Sequence, residues 1–235
     1  MKGPIYTPKG RAREYCDLAL NIYDSCSHNC SYCFARTMAA RFGKSWGDTV
    51  SPRPGIVEAT IEQLKAEGLT GRTVHLCFSC DPYPRGVDTM VTREVIRAIK
   101  RSGNHVQILT KNGHAALRDV DLLDCNDWFG VTYSGNDECE PGAAPHALRH
   151  FSIAIAKDQG FKTWMSCEPV MNPEAVLAAV KNFDCVDLWR IGKLNHRKSD
   201  IDWGAFGREV EELCQKLGRN YVIKDDLRRE MEGKK

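Results

Sequence analysis

Three cysteines within eight residues, Cys26, Cys30 and Cys33, stand in the spacing C-x3-C-x2-C. With eleven cysteines in 235 residues, chance gives that spacing about 0.02 times per chain, so the trio is read as a unit. A short loop carries all three thiols to one point. Soft thiolates select zinc or iron–sulfur clusters. Structural zinc closes its shell with four ligands, whereas three thiolates on a cubane cluster leave one iron open. An open iron offers a coordination position for reactive chemistry. The competing reading is a zinc knuckle completed by His28 or a distant cysteine. His28 is expected to face solvent or to sit outside the ligand set.

These residues must be placed by the elements around them. Strand-like apolar runs cover Leu18–Tyr23, Val74–Phe78, Val106–Thr110, Trp128–Tyr133, Lys162–Ser166, Leu188–Ile191 and Tyr221–Ile223. Helical patterns lie between them at Ile56–Glu67, Arg93–Arg101, Pro145–Gln159, Pro173–Lys181 and Ile201–Leu217. This alternation predicts a parallel sheet with helices packed outside, either doubly wound or a partial barrel. Both arrangements gather chemistry at the C-terminal strand ends. Cys26, Ser79–Asp81, Thr110–Lys111, Thr132–Ser134 and Glu168 all fall at or just past such ends. Lys193, Asn195 and Lys224 follow later strands, to hold substrate or close the barrel.

The composition fits a globular protein, with 42% hydrophobic and 27% charged residues. No linker or repeat interrupts it, which predicts one domain over 1–235 with a core of about 16–225. The net charge of +2 neither requires nor excludes an acidic partner. There is no apolar run long enough to cross a membrane, and Met1-Lys2-Gly3-Pro4 is no signal peptide. A cytoplasmic protein without membrane partners is expected, so the cysteines point to metal or redox work rather than disulfides.

The spacing C-x3-C-x2-C just after a first strand, with an aromatic before the last cysteine, resembles the signature of the radical S-adenosylmethionine (SAM) superfamily. Further stretches resemble its spore-photoproduct-lyase-like group, related to proteins described as DNA repair photolyases. They are Gly10-Arg-Ala-Arg-Glu-Tyr15, Phe78-Ser-Cys-Asp-Pro-Tyr83, Leu109-Thr-Lys111, Leu117-Arg-Asp-Val-Asp-Leu122 and Cys139-Glu-Pro-Gly-Ala-Ala-Pro145. Ser166-Cys-Glu-Pro169, Ile191-Gly-Lys-Leu-Asn195 and Tyr221-Val-Ile-Lys-Asp-Asp226 complete the set, so the resemblance covers most of the chain.

The resemblance implies an α/β fold, a partial (β/α)6 TIM-like barrel of parallel strands with an extra C-terminal strand. It implies a [4Fe–4S] cluster on Cys26, Cys30 and Cys33, with SAM chelating the fourth iron. An electron from an external donor of flavodoxin or ferredoxin type would split SAM into methionine and a 5′-deoxyadenosyl radical, which takes a hydrogen atom from substrate. Tyr32 would lie near the adenine; plain core packing is its alternative. Ser79 and Asp81 would offer acceptors to the SAM ammonium, Lys111 a cation to its carboxylate, and Thr132 or Ser134 a hydroxyl. The plainer readings are a turn residue for Asp81 and a surface lysine for Lys111.

The spore photoproduct lyases use a cysteine as hydrogen-atom donor shortly before the matching aspartate. Cys77 and Cys80 flank that region one residue out of register, and Cys80 stands nearer the mouth. In a regular strand the two would face opposite ways, against a shared metal or disulfide. The substrate expected from the group is a nucleic acid or nucleotide, with lyase-like or base-modifying chemistry. Radical modification of a small molecule or peptide is the alternative, and a non-catalytic iron–sulfur or zinc protein is a further one. The basic, aromatic segment Arg36–Arg53 is read as a solvated loop packing its aromatics on the barrel, ahead of a role on phosphates. Arg228–Lys235 is read as a frayed tail. No second cluster is expected.

Overall fold

Each apolar run becomes a strand and each periodic segment a helix packed outside it. The computed structural model describes residues 3–233. The strands are β1 (Leu18–Leu20), β2 (Thr73–Leu76), β3 (His105–Thr110), β4 (Trp128–Thr132), β5 (Lys162–Cys167), β6 (Leu188–Ile191) and β7 (Tyr221–Ile223). All six pairings are parallel and each strand lies beside its sequence neighbours. A doubly wound sheet would reverse this order; the order runs straight through, and the sheet curls into a half-barrel. The expected partial barrel is present, with β7 as its additional strand.

The helices are α1 (Phe34–Arg41), α2 (Ile56–Ala66), α3 (Met90–Arg101), α4 (Gly113–Ala116), α5 (His146–Asp158), α6 (Pro173–Asn182), α7 (Trp203–Leu217) and α8 (Asp225–Met231). Local chemistry sets their ends. The Asn172 side chain accepts from the N–H of Ala175 ahead of Pro173, and that of Asp202 from Ala205. Gly218 stops α7 at φ 63°, where a side chain would be strained. On α7, Trp203, Phe206, Val210 and Cys214 are buried, one stripe at helical spacing. Strands of this sheet are covered on both faces, so β2 and β5 are buried over almost their whole length.

Two segments expected to be irregular are helical. Phe34–Arg41 forms α1 instead of a loop, and Arg228 and Arg229 belong to α8, whose Leu227 is buried and whose Arg228 pairs with Glu211 at 2.9 Å. Two strands are shorter than expected. β1 stops at Leu20 because the Asn21 side chain turns to accept from the N–H groups of Phe78 and Ser79. β2 stops at Leu76 because Cys77 takes φ 72°.

The interior of the half-barrel is aromatic. Trp164 lies across it, its Nε1 donating to the carbonyl of Ile108 at 2.9 Å. Gly130 is required opposite, since a Cβ there would stand 2.1 Å from Trp164 Nε1. The chain before β1 spans the open edges: Tyr6 bridges to Ala19, and Lys224 beyond β7 donates to the carbonyl of Arg11 at 3.0 Å. Tyr15 completes the seal by donating to Glu168 at 2.7 Å, with its hydroxyl 2.8 Å from that of Ser166.

His75 is wholly buried in this interior, stacked on Phe78 with centroids 4.3 Å apart, and neither ring nitrogen is hydrogen-bonded. Burial, reinforced by the Arg190 guanidinium, pushes its pKa down from 6.5 to about 3. The unfolded chain then binds the extra proton between those values. Stability is full above about pH 6.5 and falls as pH drops towards about 3, by on the order of a few kcal/mol. His75→Leu removes two orphaned polar atoms as well as the titration. Urea midpoints from about pH 7 to about pH 4 should decline less steeply in the variant than in the parent; identical slopes would contradict this assignment.

Candidate functional site

The loop after β1 is short and held from several sides. Cys33 closes it as the cap of α1, its Sγ accepting from the N–H of Arg36 at 3.4 Å and its own N–H donating to the Cys30 carbonyl at 3.2 Å. Arg36 reaches back, donating to the carbonyls of Cys30 and Ser31 and to Asn29 Oδ1. Asn29 at φ 50° makes the turn. Cys26, Cys30 and Cys33 all line one cavity of about 420 Å³ at the C-terminal ends of the strands. As free thiols, Cys26 and Cys30 are shifted upward by burial, Cys30 to about 11.

The same cavity is lined by Tyr32, Cys77, Ser79, Cys80, Asp81, Lys111 and Thr132. Ser134 is the expected residue that the structure leaves out. It is buried behind the mouth, its N–H donating to His146 Nε2 at 3.1 Å and its carbonyl accepting from Met171 and Asn172.

Asp81 is in place but largely engaged. Its Oδ1 accepts from the N–H of Tyr83 at 2.8 Å and the hydroxyl of Thr110 at 2.6 Å. Its Oδ2 accepts from the N–H of Lys111 at 2.8 Å and faces His28 Nδ1 at 3.4 Å. Three of a carboxylate's about four acceptor positions are thus filled and His28 stands over the fourth, which leaves little room for an ammonium group. Asp81 instead ties β2, β3 and the cysteine loop together at the mouth.

His28 is buried rather than solvent-facing. Its Nε2 accepts from the N–H of Arg85 at 3.2 Å, which puts the proton on Nδ1, towards Asp81. Burial lowers its pKa, consistent with a neutral ring. Its Nε2 is taken by Arg85, while Nδ1 is buried without a hydrogen-bond partner among the described residues and faces Asp81, which suits a brace of the loop better than a fourth ligand.

Lys111 projects into the cavity beside Tyr32, its Nζ 5.7 Å from the ring centroid and 3.8 Å from Glu140 Oε1. The Tyr32 hydroxyl donates to the same oxygen of Glu140. Glu140 is fully buried, and its Oε2 lies 2.6 Å from Arg149 Nη1 and 3.3 Å from His146 Nε2. Arg149, also fully buried, donates to the carbonyls of Thr132 and Ala144. This charged support behind Tyr32 and Lys111 was not foreseen as a unit. Its one signal was a Glu–Pro–Gly stretch, Glu140–Gly142, unusual in a segment packed against the barrel.

Cys77 and Cys80 do not point apart. The φ of 72° at Cys77 ends the regular strand, and both residues line the same cavity. Cys80 Sγ also accepts from the N–H of Tyr23 at 3.4 Å. Alternation of faces fails here because the residues between them are no longer strand. At the far side of the cavity, Glu168 pairs with Lys224 at 2.9 Å and Lys193 with Glu230. These residues close the barrel and line its mouth together.

The donor set can be tested against the group it would hold. Among the described residues, the histidine, cysteine and carboxylate sets whose ligand atoms come within 4.8 Å of one another are His105–Asp124–Asp127 and Asp137–Glu140–His146. The cysteine trio is not one of them. Thiolates sharing one zinc stand about 3.8 Å apart, given the usual zinc–sulfur bond length. At least one pair of its sulfurs therefore lies more than 4.8 Å apart, too wide for one zinc as the thiols stand. These residues fit a cubane cluster better than a single ion.

No family model matches the chain. It is 26% identical over 180 residues, 72% of its length, to an uncharacterized protein of Methanocaldococcus jannaschii, over 65% of that protein. It is 30% identical over 109 residues to an uncharacterized protein of Mycobacterium tuberculosis, covering 44% of this chain and 32% of the other. The chain thus spans less than two thirds of the length of these relatives. Among solved structures it is similar to a spore photoproduct lyase variant with bound AdoMet and dinucleoside spore photoproduct. The TM-score is 0.59 at 14% identity, over 89% of this chain and 64% of that one. A cysteine-to-serine variant of spore photoproduct lyase gives 0.67 at 11% identity, over 95% and 80%. Native anSMEcpe with bound AdoMet gives 0.58 at 11% identity, over 87% and 63%. The chain shares the half-barrel fold of these solved structures.

Proposed function

We propose that this chain is a radical SAM enzyme that cleaves SAM reductively and abstracts a hydrogen atom from substrate. The observation that carries the reading is the cysteine trio, wider than a one-ion site, lining the strand-end cavity of a half-barrel of this fold. A [4Fe–4S] cluster with SAM on its open iron would supply one electron to the sulfonium, so that sulfur keeps a pair in neutral methionine and carbon 5′ keeps one electron as a radical.

The protein's own residues bind, orient and shield. Cys26, Cys30 and Cys33 hold the cluster. Lys111 meets the SAM carboxylate, its position set by Asp81 through its backbone and by Glu140 through its charge. Tyr32, held by Glu140, offers its ring to the adenine. Ser79 and Thr132 complete the polar lining, while Asp81 acts as a brace. The closed far side, through Tyr15, Glu168 and Lys224, keeps water from the interior. A nucleic acid or nucleotide is the favoured substrate, supported by the likeness to the lyase structures carrying a dinucleoside photoproduct.

Anaerobic reconstitution with iron and sulfide, followed by SAM and dithionite, tests the reading. It requires 5′-deoxyadenosine and methionine in equal amounts. Intact SAM after full reduction would refute it.

In the same proposal Cys80, with Cys77 nearby, gives the hydrogen atom of its thiol to the product radical, and the thiyl radical left behind returns to the thiol with one electron from the external donor and one proton from solvent. With a substrate in hand, Cys80→Ala should leave SAM cleavage within about twofold but divert the product distribution, because only the final hydrogen transfer loses its donor. Unchanged products at wild-type turnover would remove Cys80 from the mechanism.

A further inference from the structure

The first helix after the cysteine loop carries an exposed apolar stripe, which starts at the cavity rim with Phe34 and runs outward from it. Phe34, Met38 and Phe42 are 55%, 42% and 72% exposed and lie four residues apart, hence on one side of α1 and its end. They are three of the eight large exposed hydrophobics identified in the chain, which concentrates them beside the candidate cluster. The charge around them has one sign. No acidic residue occurs between Asp24 and Asp48, while Arg36, Arg41 and Lys44 all do. Arg36 is tied to Asn29 and the loop carbonyls, leaving Arg41 and Lys44 to flank the stripe.

We infer that this face of α1 is the docking surface for the reductant, an acidic one-electron carrier protein. The inference rests on the proposed function, which needs an electron from outside. In the sequence the remaining cysteines stand in no second trio of cluster spacing that would relay one. Electron transfer falls steeply with distance, and α1 begins at Cys33 itself, so its face is the surface joined most directly to the candidate cluster. The opposite side of the cysteines is the cavity, which SAM and substrate must occupy. One electron passes per encounter: the carrier is oxidised, the site is reduced, and the electron is consumed in the bond cleavage already described. No proton accompanies it.

A small apolar patch flanked by Arg41 and Lys44 suits a transient redox encounter, whose interfaces are small and whose association is steered by charge. A nucleic-acid strand fits less well. Two free cations are too few to track a phosphate backbone.

The test compares the parent with Arg41→Glu/Lys44→Glu and with Phe42→Ser, none of which lines the cavity. Oxidised acidic flavodoxin is titrated calorimetrically into the protein with and without its cluster, and thermal unfolding confirms each fold. Binding should weaken about tenfold or more in both variants, and in the parent should weaken as salt rises. In the reconstituted enzyme, 5′-deoxyadenosine formation driven by reduced flavodoxin should fall about tenfold, while the dithionite-driven rate stays within about twofold. Parent-like binding and flavodoxin-driven rates in the variants would overturn the inference. So would loss of oligonucleotide binding, or of a dimer, with the flavodoxin readouts unchanged. If dithionite yields no 5′-deoxyadenosine from the parent, the proposed function fails separately, and the titrations still judge the surface.

Discussion

Replacing Cys26, Cys30 or Cys33 singly by alanine is expected to remove the iron–sulfur chromophore and bring 5′-deoxyadenosine formation down to the level without protein. The three thiols come from one loop, and the neighbouring His28 has its Nε2 taken by Arg85 and its Nδ1 facing Asp81. Loss of one donor therefore uncovers a second iron instead of merely weakening the site. The fold should tolerate the change, because the seven-stranded core does not depend on the loop. Cys33 separates the two roles. Its Sγ also caps α1, worth on the order of 1 kcal/mol for an ordinary cap and less for sulfur. Cys33→Ser keeps an acceptor for the Arg36 N–H but supplies a harder donor to iron. It should stay near the parent in thermal stability and still lose cluster and turnover. A serine variant that retained both would mean that Cys33 is structural only.

The largest stability effect is expected at Arg149. Its guanidinium and the Glu140 carboxylate are both fully buried and 2.6 Å apart. Removing one partner of such a pair leaves an unpaired charge in a dry interior, which costs about 3–5 kcal/mol. Arg149→Met should therefore lower the melting temperature by roughly 6–20 °C for a chain of this size. The double variant Arg149→Met/Glu140→Gln should recover much of the loss, because the stranded charge is gone. It should not recover SAM affinity, since Glu140 also holds Tyr32 and faces Lys111. Support of this kind behind a ligating residue is worth about 10–100-fold in affinity. Equal melting temperatures for parent and single variant would show that water reaches the pair.

The readable features of this protein were those carried by local pattern. Seven apolar runs punctuated by helical periods specified the parallel order, and the cysteine spacing specified the loop between the first strand and α1. What escaped depends on partners distant in sequence. Asp81 reads locally as a turn residue or a free acceptor; its occupation comes from Thr110 and Lys111, about thirty positions later. Cys77 and Cys80 read as facing apart because alternation assumes a strand that ends at Leu76. Glu140 and Arg149 sit in a Pro/Gly-rich stretch and on a helix, two settings that ordinarily place charge in water. α1 reads as a loop in sequence because its apolar stripe faces outward and Ala35 is its one buried residue. The feature that hid it from pattern reading is the one that marks it as a surface for a partner.

Three thiolates, in the function proposed, hold a cluster with one iron left open. The most direct test is the metal content and low-temperature EPR spectrum of anaerobically reconstituted, reduced protein, recorded with and without SAM. About four irons and about four sulfides per chain are expected, with a reduced-cluster signal that changes on adding SAM. Stoichiometric zinc without sulfide, or a cluster signal indifferent to SAM, would contradict it.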